Sequence, residues 1–181
     1  MTVNLPVAGK LRRDEWGIPL TQQCNDHDDF LSTFRLIERL SADTTPVNNS
    51  TVLVTISGLV IPVEINTGYI FELYTPYSSN ATADIKIAWA LPTGSVADFG
   101  IDYWDTTSPT PAKQFGQSST IPTTGQQCGG FAADLYCRFF GSFLTGSTAG
   151  SFTPQFAQVT ANVSNTVIRR GAYLRLEKIP V

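Results

Sequence analysis

The chain predicts an all-β fold: a β-sandwich or barrel preceded by an extended amino-terminal arm and one short α-helix. Three observations carry that expectation. From Ser50 to Tyr77 the chain reads STVLVTISGLVIPVEINTGYIFELYTPY, with apolar residues on alternate positions, the period of a strand with one buried face. Runs of this kind recur at roughly 8–12-residue spacing with turn signals between them, as in sandwiches and barrels. No repeat of fixed period is present, which argues against a solenoid or propeller.

Residues 1–25 read as an anchoring arm. Pro6, Gly9, Gly17 and Pro19 interrupt any regular period. Leu5, Val7, Leu11, Trp16, Ile18 and Leu20 are too many large apolar side chains for a free tail, so the arm is expected to dock on its own domain or on a neighbour. Residues 26–45 read as a short helix and linker. The helix, DHDDFLSTFRLIERL over 26–40, has Asn25 or Asp26 as cap, Asp28 and Asp29 in its first turn, and Arg35 and Arg39 in its last. Phe30, Phe34 and Ile37 form its apolar stripe, widened by Leu31 and Leu36. So short a helix is unstable alone. It is expected to pack on its own sandwich or with symmetry mates as a three-helix collar. The polar run SADTTPVNNS then leads into the sandwich, assigned to 46–181.

The strands follow in order. Val52, Val54 and Ile56 alternate, Gly58 breaks the phase, and Leu59, Ile61, Val63 and Ile65 resume it. Pro62 falls on the other side of that row, which marks an edge strand or a bulge. Tyr69, Phe71 and Leu73 form the next inward row, then Ile85, Ile87 and Trp89, then Phe99, Ile101 and Tyr103. Phe131, Ala133, Leu135, Cys137, Phe139 and Phe143 line one side of the longest strand. Phe152, Phe156, Val167, Leu174 and Leu176 complete the set. The polar stretch 105–130 predicts one short strand near Gln114–Ile121 between two loops. Two strands are apolar on both faces: Ile70 and Tyr74 stand opposite the first inward row, and Tyr136, Phe140 and Leu144 opposite the longest. A sandwich strand with one face in water carries polar residues there. These five residues therefore predict a second buried surface, an oligomer interface.

Composition removes several function classes. Charged residues make up 15% of the chain, against about 25% in typical domains. A surface of hydroxyls and amides suits a protein packed among others in a large assembly. Net charge is −3, and no basic run exceeds Arg12-Arg13 or Arg169-Arg170, so no nucleic-acid partner is expected. No apolar run approaches a membrane span, and the first residues lack the apolar core of a signal peptide. The product is expected to be made and used without secretion machinery, with no membrane partner.

Candidate chemistry is sparse. Cys24, Cys128 and Cys137 include no C-x-x-C pair, and His27 is the single histidine, so neither a zinc site nor a nucleophile–base pair is expected. Cys137 sits in an inward row and reads as a small buried hydrophobe. A Cys128–Cys137 bridge is disfavoured in a reducing cytoplasm. Asp26, Asp28 and Asp29 lack the Gly and closing Glu of an EF-hand and read as helix capping. Asp102 and Asp105 flank Tyr103 and Trp104, the pair that would serve as a glycan platform, but strand-end solvation accounts for these carboxylates. There is no G-x-S-x-G. The three N-x-S/T matches, at Asn49, Asn80 and Asn162, are expected by chance in a chain rich in these residues. The reading is a non-enzymatic protein with no cofactor.

Two runs bring a family into view. SADTTPVNNSTVLVTISGLVIPVEINTGYIFELYTPYSSNATADIKIAWALPTG resembles the opening of small virion proteins of tailed bacteriophages, particularly those infecting actinobacteria. GSFTPQFAQVTANVSNTVIRRGAYLRLEKI resembles their usual ending. The resemblance covers roughly residues 41–181, and lies in texture and order. It implies a jelly-roll sandwich like the TNF/C1q fold, assembled as a homotrimer on the virion in the bacterial cytoplasm and docked on major capsid or tail proteins through the arm. The role implied is capsid decoration protein, head fibre or minor tail protein. The alternative is a carbohydrate- or receptor-binding module of a phage tail, binding a host-surface glycan. The Asp105–Gly130 insert and the extra aromatic pairs depart from the pattern, so no receptor role is carried over.

Overall fold

The computed structural model describes residues 35–179 apart from 109 and 119–123, with the backbone alone for 113–118. The chain divides into two units, Met1–Arg35 and Leu36–Val181. The sandwich lies in the second. Its strands are β1 (Arg35–Arg39), β2 (Val54–Thr55), β3 (Ile61–Val63), β4 (Gly68–Ser78), β5 (Ile85–Ala90), β6 (Val96–Trp104), β7 (Pro111–Ser118), β8 (Gln126–Cys128), β9 (Asp134–Leu144), β10 (Gly150–Gln158), β11 (Val167–Ile168) and β12 (Tyr173–Ile179), with one 3-10 turn at Ser57–Leu59. β7 overlaps the strand expected near Gln114–Ile121 over residues 114–118, and the stretch 105–130, expected to hold one strand, holds β8 as well.

The strands form two sheets. The large one runs β1-β12-β4-β9-β6-β7, with β11 beside β4. The small one runs β2-β10-β5-β8, with β3 also beside β10. With the β6–β7 hairpin set aside, the last strand, β12, lies between β1 and β4. In the other sheet β10 lies between β5 and the β2–β3 edge. Each late strand returning beside an early one makes the interlocked Greek keys of a jelly roll. The β6–β7 hairpin is an insertion between β5 and β8 that adds to the free edge of β9.

The alternating sequence rows meet between the sheets. Tyr69, Phe71 and Leu73 of β4, Ile85, Ile87 and Trp89 of β5, Phe99 and Ile101 of β6, and Cys137, Phe139 and Phe143 of β9 are all buried. Phe152, Phe156, Val167, Leu174 and Leu176 join them. Trp89 sits centrally, edge-on to Phe139 at 4.6 Å and to Phe99 at 4.9 Å between ring centroids. Each large side chain so buried contributes roughly 1.5–3 kcal/mol of transfer free energy. Gly141 keeps the inward row of β9 passable, since a Cβ there would stand 2.1 Å from the Asp98 carbonyl oxygen.

Three expectations are corrected. Arg35–Arg39 is strand β1, not the last turn of a helix. Leu36 packs against the core while Ile37 is 53% exposed, a strand alternation. The edge of β12 offers backbone partners that a short isolated helix lacks. The pairing continues past the strand: the Leu40 amide donates to the Ala172 carbonyl at 2.9 Å and the Gly171 amide to the Leu40 carbonyl at 2.9 Å. The rest of that helix, with Phe30 and Phe34, lies outside the described residues, as do Leu5, Val7, Leu11, Trp16 and Ile18. Second, Val52 and Val54 are exposed, because the two-residue β2 is an edge with no layer over them; the buried row begins at Ile56. Third, Phe131 and Ala133 precede β9, in a turn where Ala132 takes φ 55°.

Pro62 stands where its ring suits the fold. β3 is an edge strand, and Pro62 faces outward opposite Ser151. The turn between β2 and β3 and the missing amide of Pro62 both interrupt that edge, which discourages pairing with a foreign strand. Residues 40–49 form a strap along 162–172, through Thr44 to Ile168 at 2.9 Å, Val47 to Thr166 at 2.8 Å and Asn49 to Asn162 at 2.8 Å, amide to carbonyl in each case.

Candidate functional site

The outer face of the large sheet carries the features that composition alone does not explain. Four strands, β12, β4, β9 and β6, present it. Register sets the rows: Tyr173 opposite Tyr74, then Arg138, then Asp102; and Arg175 opposite Glu72, then Phe140, then Gly100. Further along come Glu177, Ile70, Ser142 and Asp98, and then Ile179, Gly68, Leu144 and Val96. The strand period of two, which puts the core rows inward, sends these residues outward.

Charges cross the middle of the face in alternating sign. Arg138 Nε donates to Glu72 Oε1 at 2.7 Å, Arg175 reaches the other Glu72 oxygen at 3.5 Å, and Arg138 Nη1 lies 3.8 Å from Asp102. One residue from each of four strands is used, two cationic and two anionic. Partial burial pushes the Glu72 carboxyl up, but the Arg138 and Tyr173 hydrogen bonds and both guanidinium groups outweigh it and hold its pKa below the ordinary value. Burial and the hydrogen bond to Glu72 push the Tyr173 hydroxyl up.

Apolar and aromatic side chains flank the charges. On one side Tyr173, Tyr74 and Tyr136 form a ladder, with centroids 5.5 Å and 5.7 Å apart. On the other side stand Ile70, Phe140, Leu144 and Val96. Ile70, Tyr136, Phe140 and Leu144 are 38–44% exposed, where a sheet face in water ordinarily carries polar residues. The structure therefore brings all five residues expected on the second face, Ile70, Tyr74, Tyr136, Phe140 and Leu144, onto one surface. Sequence reasoning missed Tyr173 and Val96. Tyr173 was legible in the alternation of YLRLEKI, whereas Val96 needed the β6–β9 register.

Tyr103 and Trp104 do not make one platform. They are consecutive on β6 and point to opposite faces, Tyr103 against the core. The nearby carboxylates hold structure: Asp102 joins the charge row, and Asp105 accepts from the Thr107 amide at 2.7 Å and hydroxyl at 2.5 Å.

No family model and no curated protein matches the chain. Among solved structures it is similar to the infectious bursal disease virus VP2 subviral particle, at 10% identity and TM-score 0.20, over 82% of this chain and 41% of that one. It is also similar to the infectious bursal disease virus Gt strain structure, at 10% identity and TM-score 0.19, over 81% and 38%. The chain spans about two-fifths of the length of these structures' chains.

Two recesses lie away from this face. A groove of about 440 Å³ runs between the strap and residues 54–58, with Phe156 also lining it. A shallower one surrounds Arg169, which donates to Asp43 at 2.9 Å and Asp134 at 2.8 Å. The Arg169 hydrogen bonds account for its raised pKa. Among the described residues no group of three or more His, Cys, Asp or Glu could hold a metal ion, and no helix is long and apolar enough to cross a membrane.

Proposed function

We propose that the chain is a non-enzymatic structural component of a virion, a capsid decoration protein, head fibre or minor tail protein, that self-associates as a trimer through the outer face of its large sheet. The observation that carries the self-association is the set Ile70, Tyr136, Phe140 and Leu144, each more than a third exposed on the outside of β4 and β9. The charge row makes burial of this face feasible, because Glu72, Arg138, Arg175 and Asp102 are already paired within one copy. Four strands and eleven-residue β4 and β9 give a face of roughly 19 by 37 Å, about 700 Å². A standard interface buries about 800 Å² per partner. The virion assignment is supported by the sequence resemblance and by the jelly-roll topology, an architecture used in viral capsids.

Sedimentation at micromolar concentration tests the association. A single species of three chain masses is expected, with Ile70→Lys/Phe140→Glu returning folded monomers; a monomeric parent chain overturns the reading. Incorporation into particles tests the home. Removal of residues 1–34, which spares β1, is expected to abolish incorporation while leaving the sandwich folded. Normal incorporation would remove the anchoring role of the arm.

A further inference from the structure

Three flat faces set about a threefold axis meet only along their borders and enclose a gap. A trimer therefore cannot bury the outer face of the large sheet against copies of that same face. In a ring of three, each contact is heterologous: one patch of a chain meets a different patch of the next. The face, about 700 Å² in extent, needs a second surface elsewhere on the chain. Apart from those on the face, the large exposed apolar side chains among the described residues are Ile37, Val52, Val54, Ile65 and Val163. Three of these five gather at one border of the small sheet, where β2 is the end strand. Val54 lies on β2 opposite Phe156, and Val52, two residues earlier, is 70% exposed. Val163 is held to the same border. Asn48 Nδ2 donates to its carbonyl, the Asn49 amide donates to the Asn162 carbonyl at 2.8 Å, and Gln158 Oε1 takes both the Ser50 and the Asn162 amides. Between this border and the strap opens the groove of about 440 Å³, with Val54, Phe156, Leu40 and Val47 among its lining.

Charge matches the two surfaces as well. Arg39 lines the groove and is exposed. On the face, the row that holds Ile70 carries Glu177 on β12 and Asp98 on β6, both exposed. Among the described residues none of these three has an ion-pair partner within the chain. We propose that the β2 border and its groove are the second half of the subunit contact. The border of one copy seats on the outer face of the large sheet of the next. Val52, Val54 and Val163 lie against Ile70, Phe140 and Leu144, and Arg39 lies beside the acids of the Ile70 row. Burial of the two apolar sets supplies the driving force. The charge match fixes which way the border lies across the face. Each copy uses both surfaces once, so the ring closes with no face left open. The contact rests on the trimeric association proposed above and names the surface which that association requires.

Sedimentation of full-length variants tests the contact. Val52→Lys/Val54→Lys removes the border and keeps the face; Ile70→Lys/Phe140→Glu removes the face and keeps the border. Each alone is expected as a monomer, with a cooperative thermal melt to show that it is folded. Mixed in equal amounts, at raised concentration because one contact replaces three, they are expected to give a species of two chain masses. Arg39→Glu, at an exposed position with no partner to lose, is expected to weaken association of the parent chain about tenfold, and Asp98→Arg/Glu177→Arg in the same chain to restore it. This charge reversal decides the matter should Val52→Lys/Val54→Lys fail to fold. A folded border variant that still forms trimers overturns the contact, as does a mixture that stays monomeric or a reversal that recovers nothing. A monomeric parent chain overturns the association itself, so the two failures are read apart.

Discussion

Phe140 of β9 lies over Gly100, its directly opposed neighbour on β6, and its ring Cζ stands 2.7 Å from where a Gly100 Cβ would be. The Arg138 guanidinium lies 5.0 Å from the same ring's centroid. A glycine in a strand costs backbone entropy and packs nothing, and an aromatic ring laid over it from the next strand restores the contact. The ring is thereby held against the sheet by Gly100 and its cationic neighbour, and part of it remains exposed on the face proposed for self-association.

Gly100→Ala is expected to separate folding from association. The atom in the way is the far end of a side chain, so the ring can turn aside, and alanine's better strand entropy offsets the lost contact. Stability should move by less than about 1 kcal/mol, while self-association weakens because Phe140 no longer lies flat. Urea unfolding beside sedimentation checks this. Association unchanged at unchanged stability would show that the position of the Phe140 ring does not matter to the interface.

The core rows were legible because burial on one face writes itself as alternation: Phe71 and Leu73, Ile87 and Trp89, Phe99 and Ile101 are buried as their spacing implies. The outward set Ile70, Tyr74, Tyr136, Phe140 and Leu144 was legible for the same reason, as apolar residues in the wrong phase. Arg35–Arg39 was misread because RLIER satisfies both a helix stripe and a strand, and only the free edge of β12 decides between them. Phe140 over Gly100 and the Arg175–Glu72–Arg138–Asp102 row were illegible, since each depends on register between strands distant in sequence. Gln158 was missed because nothing local marks a polar residue as buried.

Gln158 is fully buried and bonded through both ends of its amide. Its Oε1 accepts from the Ser50 amide at 3.2 Å and the Asn162 amide at 2.9 Å, and its Nε2 donates to the Ser164 carbonyl at 2.7 Å. Gln158→Leu keeps the volume but strips three backbone groups of a partner, each costing about 1–3 kcal/mol when it stays dry. A loss of roughly 3 kcal/mol or more in urea unfolding is expected, with faster amide exchange at Ser50 and Asn162. A loss below about 1 kcal/mol would mean that water replaces the side chain.

Glu72 gives the sheet an acid-sensitive element. Its folded pKa lies below the ordinary 4.5, so its contribution is fully present above pH ~4.5 and is lost as pH falls through the lower, folded value. Glu72→Gln is expected to remove roughly 1–2 kcal/mol at pH 7, since Arg138 and Arg175 lose a charged acceptor. The difference from the parent should shrink as the pH drops below 4. Urea midpoints at pH 7, 4.5 and 3 read this directly, and a difference that stays constant across that range would sink the assignment.

Asp84 has the opposite sign. Burial raises its carboxyl above the ordinary 3.8, against the lowering effect of the Gly130 amide. A folded pKa above the unfolded one means stability that is present below pH ~3.8 and lost as pH rises through the folded value. The residue also takes φ 49°, a left-handed conformation that asparagine tolerates as well as aspartate. Asp84→Asn keeps an oxygen for the Gly130 amide, keeps the backbone shape, and removes the charge that burial disfavours. The substitution is expected to raise stability at pH 7, because burial disfavours the charge it removes, and to change little at pH 3, where the parent carboxyl is already neutral. Thermal melts of both proteins at the two pH values decide the matter: a gain of equal size at both would trace to backbone preference alone, and a loss at pH 7 would mean that the ionised carboxylate is the form the Gly130 amide requires.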